Sequence, residues 1–250
     1  MMRTSNPALN AGTFTGYGSY AASETAMTLQ GTVNKTGLLL LCVMLTASFT
    51  WKLFIDSGHS AAAVSPWILV GAIGGFVVAM VTIFKKEWAP VTAPIYALLE
   101  GLLLGGLSSM FETMYPGIVI QAVALTFGTL FCLLMAYTSG LIRATENFKL
   151  GVVAATGAIM LLYLVSFILG FFGIRIGFIH EGGPIGIIFS LFVVVIAALN
   201  LVLDFDFIEQ GTKNGAPKFM EWYGAFGLMV TLIWLYIEIL RLLSKLRSRR

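Results

Sequence analysis

Residues 184–207 read PIGIIFSLFVVVIAALNLVLDFDF, and no charged residue precedes Asp204 in this run. A helix needs about 20 predominantly apolar residues to cross a hydrocarbon core of roughly 30 Å. This run is long enough to do so. Six other runs share its character, and together they predict seven transmembrane helices at about residues 37–55, 66–84, 94–114, 117–139, 151–173, 184–207 and 220–243.

The composition of the 250-residue chain is typical of an integral membrane protein, since 58% of its residues are hydrophobic and 11% are charged. Soluble domains average about 25% charged residues. The net charge of +3 is too small, and the basic residues are too scattered over loops, to predict nucleic-acid binding. We therefore expect the lipid bilayer as a partner and no nucleic acid.

No constellation of residues in the sequence indicates an enzyme. Asp204 follows Leu-Val-Leu, whereas a presenilin-type protease would have Gly-x-Gly before its aspartate. His59 and His180 lie in predicted loops, which disfavours an intramembrane serine protease. The sequence contains no Walker, zinc or dinucleotide motif, and Cys42 and Cys132 lack a second ligand at metal-binding spacing. We predict a protein without catalytic residues or cofactor, in which both cysteines are packing residues.

The chain is predicted to have one membrane domain flanked by short tails. Residues 1–34 are rich in small and polar residues and lack the basic and apolar regions of a cleavable signal peptide, so they predict a flexible soluble tail. Residues 35–246 contain the seven apolar segments. Residues 247–250 form a basic carboxyl-terminal tail.

Lysine and arginine predict the orientation of the chain. They concentrate in the amino-terminal region and the even-numbered loops, at Arg3, Lys35, Lys85, Lys86, Arg143, Lys149, Lys213 and Lys218. The odd-numbered loops hold only Lys52 and Arg175. The positive-inside rule therefore places the amino terminus in the cytoplasm. Seven crossings would put the basic carboxyl-terminal tail on the far side, so either one segment is re-entrant or the tail is an exception.

Four acidic residues lie within the predicted membrane segments: Glu100, Asp204, Asp206 and Glu238. Ionisable side chains are unfavourable in hydrocarbon and usually indicate ion, proton or partner chemistry. Asn200 lies four residues before Asp204 and shares its helix face, so it is a candidate supporting residue. These positions carry the functional prediction.

Each acidic residue also has a structural interpretation. Asp204 and Asp206 could end the sixth helix in headgroup water. Glu100 lies six residues after Pro94, about 9 Å along a helix, and could reach the interface. Glu238 could form an ion pair with Arg241, three residues later on the same helix.

A functional interpretation follows if Asp204 and Glu238 face each other. Two carboxylates in a poorly hydrated site do not both ionise easily, so they would share a proton. Losing that proton would separate the helices or recruit a hard cation such as Ca²⁺, which prefers carboxylate and carbonyl oxygen. The sequence therefore suggests a pH-sensitive latch with Asp204 and Glu238 as candidate Ca²⁺ ligands and Arg241 as a third charge.

Three stretches resemble the Bax inhibitor / YccA family, and the stretch at residues 27–36 resembles a bacterial branch of it. Leu203-Asp-Phe-Asp-Phe-Ile-Glu-Gln210 and Leu235-Tyr-Ile-Glu238 resemble the family's sixth- and seventh-helix signatures, and Met27-Thr-Leu-Gln-Gly-Thr-Val-Asn-Lys-Thr36 resembles the start of its first helix. The likeness covers about residues 27–246. Glu238 stands where the family has aspartate, and Arg241 where it often has asparagine.

The resemblance implies six helices around a central seventh and a pH-sensitive Ca²⁺ leak channel controlled by an acidic pair. For a bacterial chain it also implies the inner (plasma) membrane. A second implied function is a non-transporting regulator that binds another membrane protein, such as a membrane protease. Along the helices Asp204 is about 9 Å from Gln210, whereas Glu238 is about 22 Å beyond Tyr223. The acidic pair therefore meets only if the stretch before Gly227 lies at the interface or the seventh helix tilts.

Overall fold

A computed structural model of the chain describes residues 26–173, 177 and 183–249. Over these residues it is all-helical, apart from one isolated bridge between Ala26 and Pro217, and all seven long helices could span a membrane by length and composition. The predicted fold class and number of spans are confirmed. The helices are α1 (Leu29–Asp56), α2 (Ala61–Phe84), α3 (Ala89–Met114), α4 (Ile118–Thr138), α5 (Glu146–Phe171), α6 (Pro184–Lys213) and α7 (Met220–Arg247).

The first helix begins earlier than the sequence predicts. Thr28 has an extended backbone, and its hydroxyl accepts a hydrogen bond from the Gly31 amide at 2.9 Å, which caps the helix before Leu29. The boundary placed after residue 34 therefore falls inside α1. Residues 1–25 of the predicted tail, and Arg175 and His180 of the fifth loop, lie outside the described residues.

The last helix is the most buried of the seven. It packs against α1, α3, α4 and α6, and Glu238 reaches Tyr163 of α5. The second helix packs chiefly against α3. A ring of all six helices around α7 remains a prediction.

The two ends of the bundle can be distinguished by their contacts. At the proximal face, the Met27 amide donates to the Ala216 carbonyl in the α6–α7 turn at 2.7 Å. At the distal face, Arg247 donates to the Pro116 carbonyl in the α3–α4 turn at 2.6 Å. Each of the seven helices is continuous over the described residues and long enough to cross a membrane, and the orientation of the chain remains a prediction.

Small residues let α1 and α3 pack closely. A Cβ added at Gly101 would lie 2.4 Å from the Val43 carbonyl oxygen, and one added at Gly105 would lie 2.2 Å from that of Ala47. The Thr46 hydroxyl donates to the Leu98 carbonyl at 2.8 Å across the same interface. Close backbone approach and interhelical hydrogen bonds are the usual means of helix association in lipid.

We expect Gly101→Val to destabilise the bundle by about 1–3 kcal/mol, because the new side chain would overlap backbone atoms of α1. The matched control is Gly128→Val in α4, where an added Cβ meets no atom within 4 Å. Unfolding by sodium dodecyl sulfate, followed by circular dichroism, measures both. Equal midpoints for the two variants would contradict the prediction.

Candidate functional site

The register of the α6–α7 hairpin fixes the depth of the acidic residues. A Cβ added at Gly224 would lie 3.2 Å from Ile208, and the Lys245 ammonium donates to the Ser190 hydroxyl at 2.9 Å. Since the helices are antiparallel, Asp204 is level with about residue 228 of α7. Glu238 lies ten residues beyond that level, or about 15 Å at 1.5 Å per residue.

Contacts with α5 give the same separation. The Asn200 amide donates to the Thr156 hydroxyl at 2.9 Å, and the Tyr163 hydroxyl donates to Glu238 at 3.0 Å. Tyr163 lies seven residues beyond Thr156 toward the distal face, while Asp204 lies four residues from Asn200 toward the proximal face. Together these offsets amount to about 16 Å of helix rise.

The structure therefore places Asp204 and Glu238 at different depths. Asp204 lies nine residues before the end of α6, whereas Glu238 lies eighteen residues after the start of α7. The stretch before Gly227 does not compensate for this difference, because it is already helical and packs against α6 at Gly224. We accordingly describe two sites.

The distal cluster comprises Tyr163, Glu238, Arg241 and Lys245. Glu238 is only 2% exposed, and it accepts hydrogen bonds from the Tyr163 hydroxyl at 3.0 Å and from Arg241 at 3.1 Å. Arg241 also donates to the Tyr163 hydroxyl at 2.9 Å, so the three side chains bond one another. The ion pair between Glu238 and Arg241 is therefore formed, and a tyrosine from a second helix orients it.

Lys245 adds a second positive charge, one turn beyond Arg241. Its ammonium is buried and donates to the Gly186 carbonyl at 3.2 Å and to the Ser190 hydroxyl at 2.9 Å on α6. The single carboxylate of Glu238 thus lies between one tyrosine and two cations near the distal face. Among the described residues of α7, three charged side chains, Glu238, Arg241 and Lys245, thus lie within two turns of the helix.

The proximal acids are Glu100 and Asp204. Asp204 is fully buried and Glu100 is 8% exposed. The third helix runs alongside α7, because the Tyr96 ring contacts Phe226 and Ser108 bonds Tyr236 at 2.6 Å.

This register places Glu100 level with about residues 228–230 of α7. Glu100 and Asp204 therefore share one depth, on different neighbours of α7. Glu100 is not at the interface, because its carboxylate packs against Gly75 of α2, where an added Cβ would lie 2.6 Å away.

Asp206 and Asn200 mainly hold helices together. Asp206 accepts from the Lys149 ammonium of α5 at 2.8 Å and from Gln210 at 2.5 Å. Asn200 donates to Thr156 of α5 and to the Ile196 carbonyl of its own helix. Both residues therefore position α6 against α5.

Glu221 is a buried acid that the sequence does not single out. Its carboxylate is fully buried and accepts hydrogen bonds from the Thr28 amide at 2.9 Å and the Thr28 hydroxyl at 2.8 Å. Lys218 lies 3.1 Å away, and Lys35 forms a second ion pair with it. Its position in the first turn of a helix is the only signal in the sequence, and that position is typical of an exposed carboxylate.

Tyr163 was also missed by sequence reasoning. It lies in a long apolar run, where a tyrosine is indistinguishable from an interfacial or packing residue. The structure reveals its role, because α5 places its hydroxyl where it hydrogen-bonds both Glu238 and Arg241.

The described residues contain no group of three or more histidine, cysteine, aspartate or glutamate side chains that could hold a metal ion. Ca²⁺ takes six to eight oxygen ligands in a stable site. Asp204 and Glu238 lie in separate surroundings, so their joint assignment as Ca²⁺ ligands remains a prediction.

Comparison with known proteins identifies the family to which this architecture corresponds. The model of the Bax inhibitor 1 like family matches residues 6–248, nearly the whole chain. Neither the curated proteins nor the solved structures give a match.

Proposed function

The chain belongs to the Bax inhibitor 1 like family, and we propose that it is a pH-sensitive cation leak, with Ca²⁺ as the main ion, of the bacterial YccA-like branch. The observation that carries the proposal is the burial of three carboxylates, Glu100, Asp204 and Glu238, inside helices that could span the membrane. Buried carboxylates in such helices usually mark an ion or proton pathway.

The two sites suggest successive steps along α7. The proximal acids offer negative charge at one depth, and Glu238 holds the guanidinium of Arg241 about 15 Å farther on. In the closed state the positive charge of this guanidinium repels a cation that reaches its level. The ion pair is therefore the gate, and the proximal acids attract the ion.

Protonation of Glu238 would open this gate. The groups that face it are Tyr163 of α5 and Trp234, Arg241 and Lys245 of α7. A neutral Glu238 no longer attracts the guanidinium of Arg241, which lies six residues before the end of α7 and could extend to the distal interface. The leak is therefore expected to increase as pH falls.

The test is Ca²⁺ flux into proteoliposomes across a pH series. We expect Asp204→Asn to lower flux at every pH, because the variant loses a carboxylate that would attract the cation. Glu238→Gln should raise flux at neutral pH and flatten the pH profile, because glutamine mimics the protonated state. The control is Glu146→Gln, which changes an exposed carboxylate at the start of α5. If the Asp204 and Glu238 variants both keep the wild-type rate and pH profile, the gate assignment is wrong.

A second function is a non-transporting regulator that binds another membrane protein, such as a membrane protease. It is favoured by the pairing of Glu238 with Arg241 and of Asp206 with Lys149, since paired charges can serve helix packing alone. This function predicts a co-purifying partner and no flux from reconstituted protein at any pH.

A further inference from the structure

A long groove runs between α1 and α4, and its floor is formed by α7 together with α6 at one end and α3 at the other. It contains two adjacent chambers of about 810 Å³ and 370 Å³, which share the lining residues Leu40, Phe127 and Leu232. The larger chamber lies toward the proximal face and is bounded on α1 by residues from Leu29 to Leu40. The smaller one continues along α1 to Trp51. We call this feature the α1–α4 groove.

The groove opens sideways toward the hydrocarbon. Val33 of α1 and Phe131 of α4 line the larger chamber and are 61% and 59% exposed. Both belong to helices long and apolar enough to cross a membrane. The walls are mostly apolar, so hydrocarbon rather than water is the favourable filling.

The dimensions of the larger chamber correspond to one leaflet of a bilayer. From Leu29 to Leu40 the α1 axis rises about 16 Å, which is close to half of a hydrocarbon core of roughly 30 Å. Beyond Leu40 the groove narrows to less than half the volume. A partner helix would need a channel of uniform width across the whole bilayer, whereas the acyl chains of one leaflet end near the middle of the bilayer.

The proximal end of the larger chamber is charged. Asp206 and Glu209 line it, but Lys149 lies 2.8 Å from Asp206 and Lys213 lies 2.5 Å from Glu209. Arg143 of the α4–α5 turn also lines this end, and it forms no ion pair within the described part of the chain. Lys149 also pairs with Glu146 at 3.5 Å, so among the described charged residues that line the groove's mouth Asp206 and Glu209 each face a lysine, whereas the guanidinium of Arg143 faces no carboxylate within ion-pair distance.

We propose that the α1–α4 groove is a binding site for one phospholipid of the proximal leaflet. The lipid's acyl chains lie between α1 and α4 against α7, and its phosphate binds the Arg143 guanidinium. Arginine binds phosphate with paired, charge-assisted hydrogen bonds, and basic pockets between membrane helices are known to take lipid head groups. This site is independent of the proposed leak, because neither Arg143 nor the groove walls include Glu100, Asp204 or Glu238.

The test counts lipids that remain bound to purified protein. The full-length chain is reconstituted in phosphatidylethanolamine and phosphatidylglycerol at three to one, extracted in mild detergent and analysed by native mass spectrometry. We expect one retained phospholipid per chain. Arg143→Ala should reduce its retention about tenfold, which corresponds to about 1.4 kcal/mol.

A second variant tests the hydrophobic part of the site. Gly37 lines the larger chamber, and a Cβ added there meets no atom within 4 Å, so Gly37→Leu should fill the groove without disturbing the helix packing. We expect it to reduce retention of the same lipid. The matched controls are Lys85→Ala, an exposed basic residue away from the groove, and Gly128→Leu, which adds the same side chain on α4 outside the groove.

Three results would overturn the proposal or the placement of its phosphate. Equal retention in wild type and all four variants would mean that the lipid is bound nonspecifically around the bundle. A mass increment from a co-purified polypeptide in place of the lipid would assign the groove to a partner helix. Loss of lipid in Gly37→Leu but not in Arg143→Ala would overturn the assignment of the phosphate to Arg143.

Discussion

Replacing Glu221 with alanine is expected to destabilise the protein by about 3 kcal/mol, the scale measured when one partner of a buried ion pair is removed. The carboxylate is fully buried and bonds Thr28, Lys35 and Lys218. Its removal leaves the Thr28 amide and hydroxyl and the ammonium of Lys35 without their acceptor. The Lys35 side chain is only 19% exposed, so its ammonium does not regain full hydration in the folded protein.

The effect extends beyond one contact because Glu221 joins the start of α1 to the start of α7. The Met27 amide donates to Ala216 at 2.7 Å in the same region. Gly31 packs directly on the Glu221 carboxyl group, which an added Cβ would approach to 2.2 Å. We therefore expect the Glu221→Ala variant to be cleaved by protease at residues 26–28 at temperatures where the wild type is resistant there.

Unfolding in sodium dodecyl sulfate measures the stability loss, and a double-mutant cycle with Lys35→Ala isolates the ion pair. The control is Lys213→Ala, because that side chain is 67% exposed and its pair with Glu209 belongs to a class worth about 0–1 kcal/mol. If Glu221→Ala costs no more stability than Lys213→Ala, the buried ion pair does not hold the two helices together.

Arg241→Gln is expected to raise the Ca²⁺ leak at neutral pH about tenfold, on the proposed function described above. A hydrogen bond to a charged group contributes about 1.5–3 kcal/mol, and about 1.4 kcal/mol corresponds to a tenfold change in an equilibrium. The lower end of this range applies because the Arg241 side chain is 37% exposed. Without the guanidinium, Glu238 is either charged and open to a cation or protonated, and the closing pair is lost in both states.

Tyr163→Phe tests the same cluster without changing a charge. It removes the hydroxyl that donates to Glu238 at 3.0 Å and accepts from Arg241 at 2.9 Å, so the pair should loosen and the leak should rise by a smaller factor. Tyr236→Phe is the matched control, because that hydroxyl bonds Ser108 rather than a charged side chain. Arg241→Lys should partly restore the wild-type rate, since lysine keeps the charge.

Two results would show that the distal cluster is not the gate. If Arg241→Gln and Tyr163→Phe conduct as the wild type does while Asp204→Asn lowers flux, the proximal acids alone control the leak. If Tyr236→Phe raises flux as much as Tyr163→Phe, the change reflects loosened packing of α7 rather than loss of the ion pair.

The positions of the helices follow from local sequence, and they were predicted well. An apolar run of about 20 residues must be helical in lipid, because every backbone amide and carbonyl needs a partner within its own segment. The candidate acids could be identified for a similar local reason, since a carboxylate within such a run stands out against its neighbours. The Glu238–Arg241 pair could also be predicted from the sequence, because side chains three residues apart in a helix lie next to each other.

The positions of the helices relative to one another could not be predicted from the sequence. The depths of Asp204 and Glu238 depend on the register of α6 against α7, which Gly224, Ile208, Lys245 and Ser190 fix through contacts between helices. The burial of Glu221 depends on Lys35, which is 186 positions away along the chain. No periodicity within a segment encodes such an offset.

The sequence alone thus determined an all-helical membrane bundle of seven spans, its family and the identity of its intramembrane charges. Only the tertiary structure decided that the two principal acids lie about 15 Å apart in depth, that Glu100 shares the depth of Asp204, and that Tyr163 completes the cluster at Glu238. The physical reason is that hydrophobicity and backbone hydrogen bonding act within a helix. The partner of a charged side chain often lies on another helix. It is therefore determined by how helices that are distant in the sequence pack against one another.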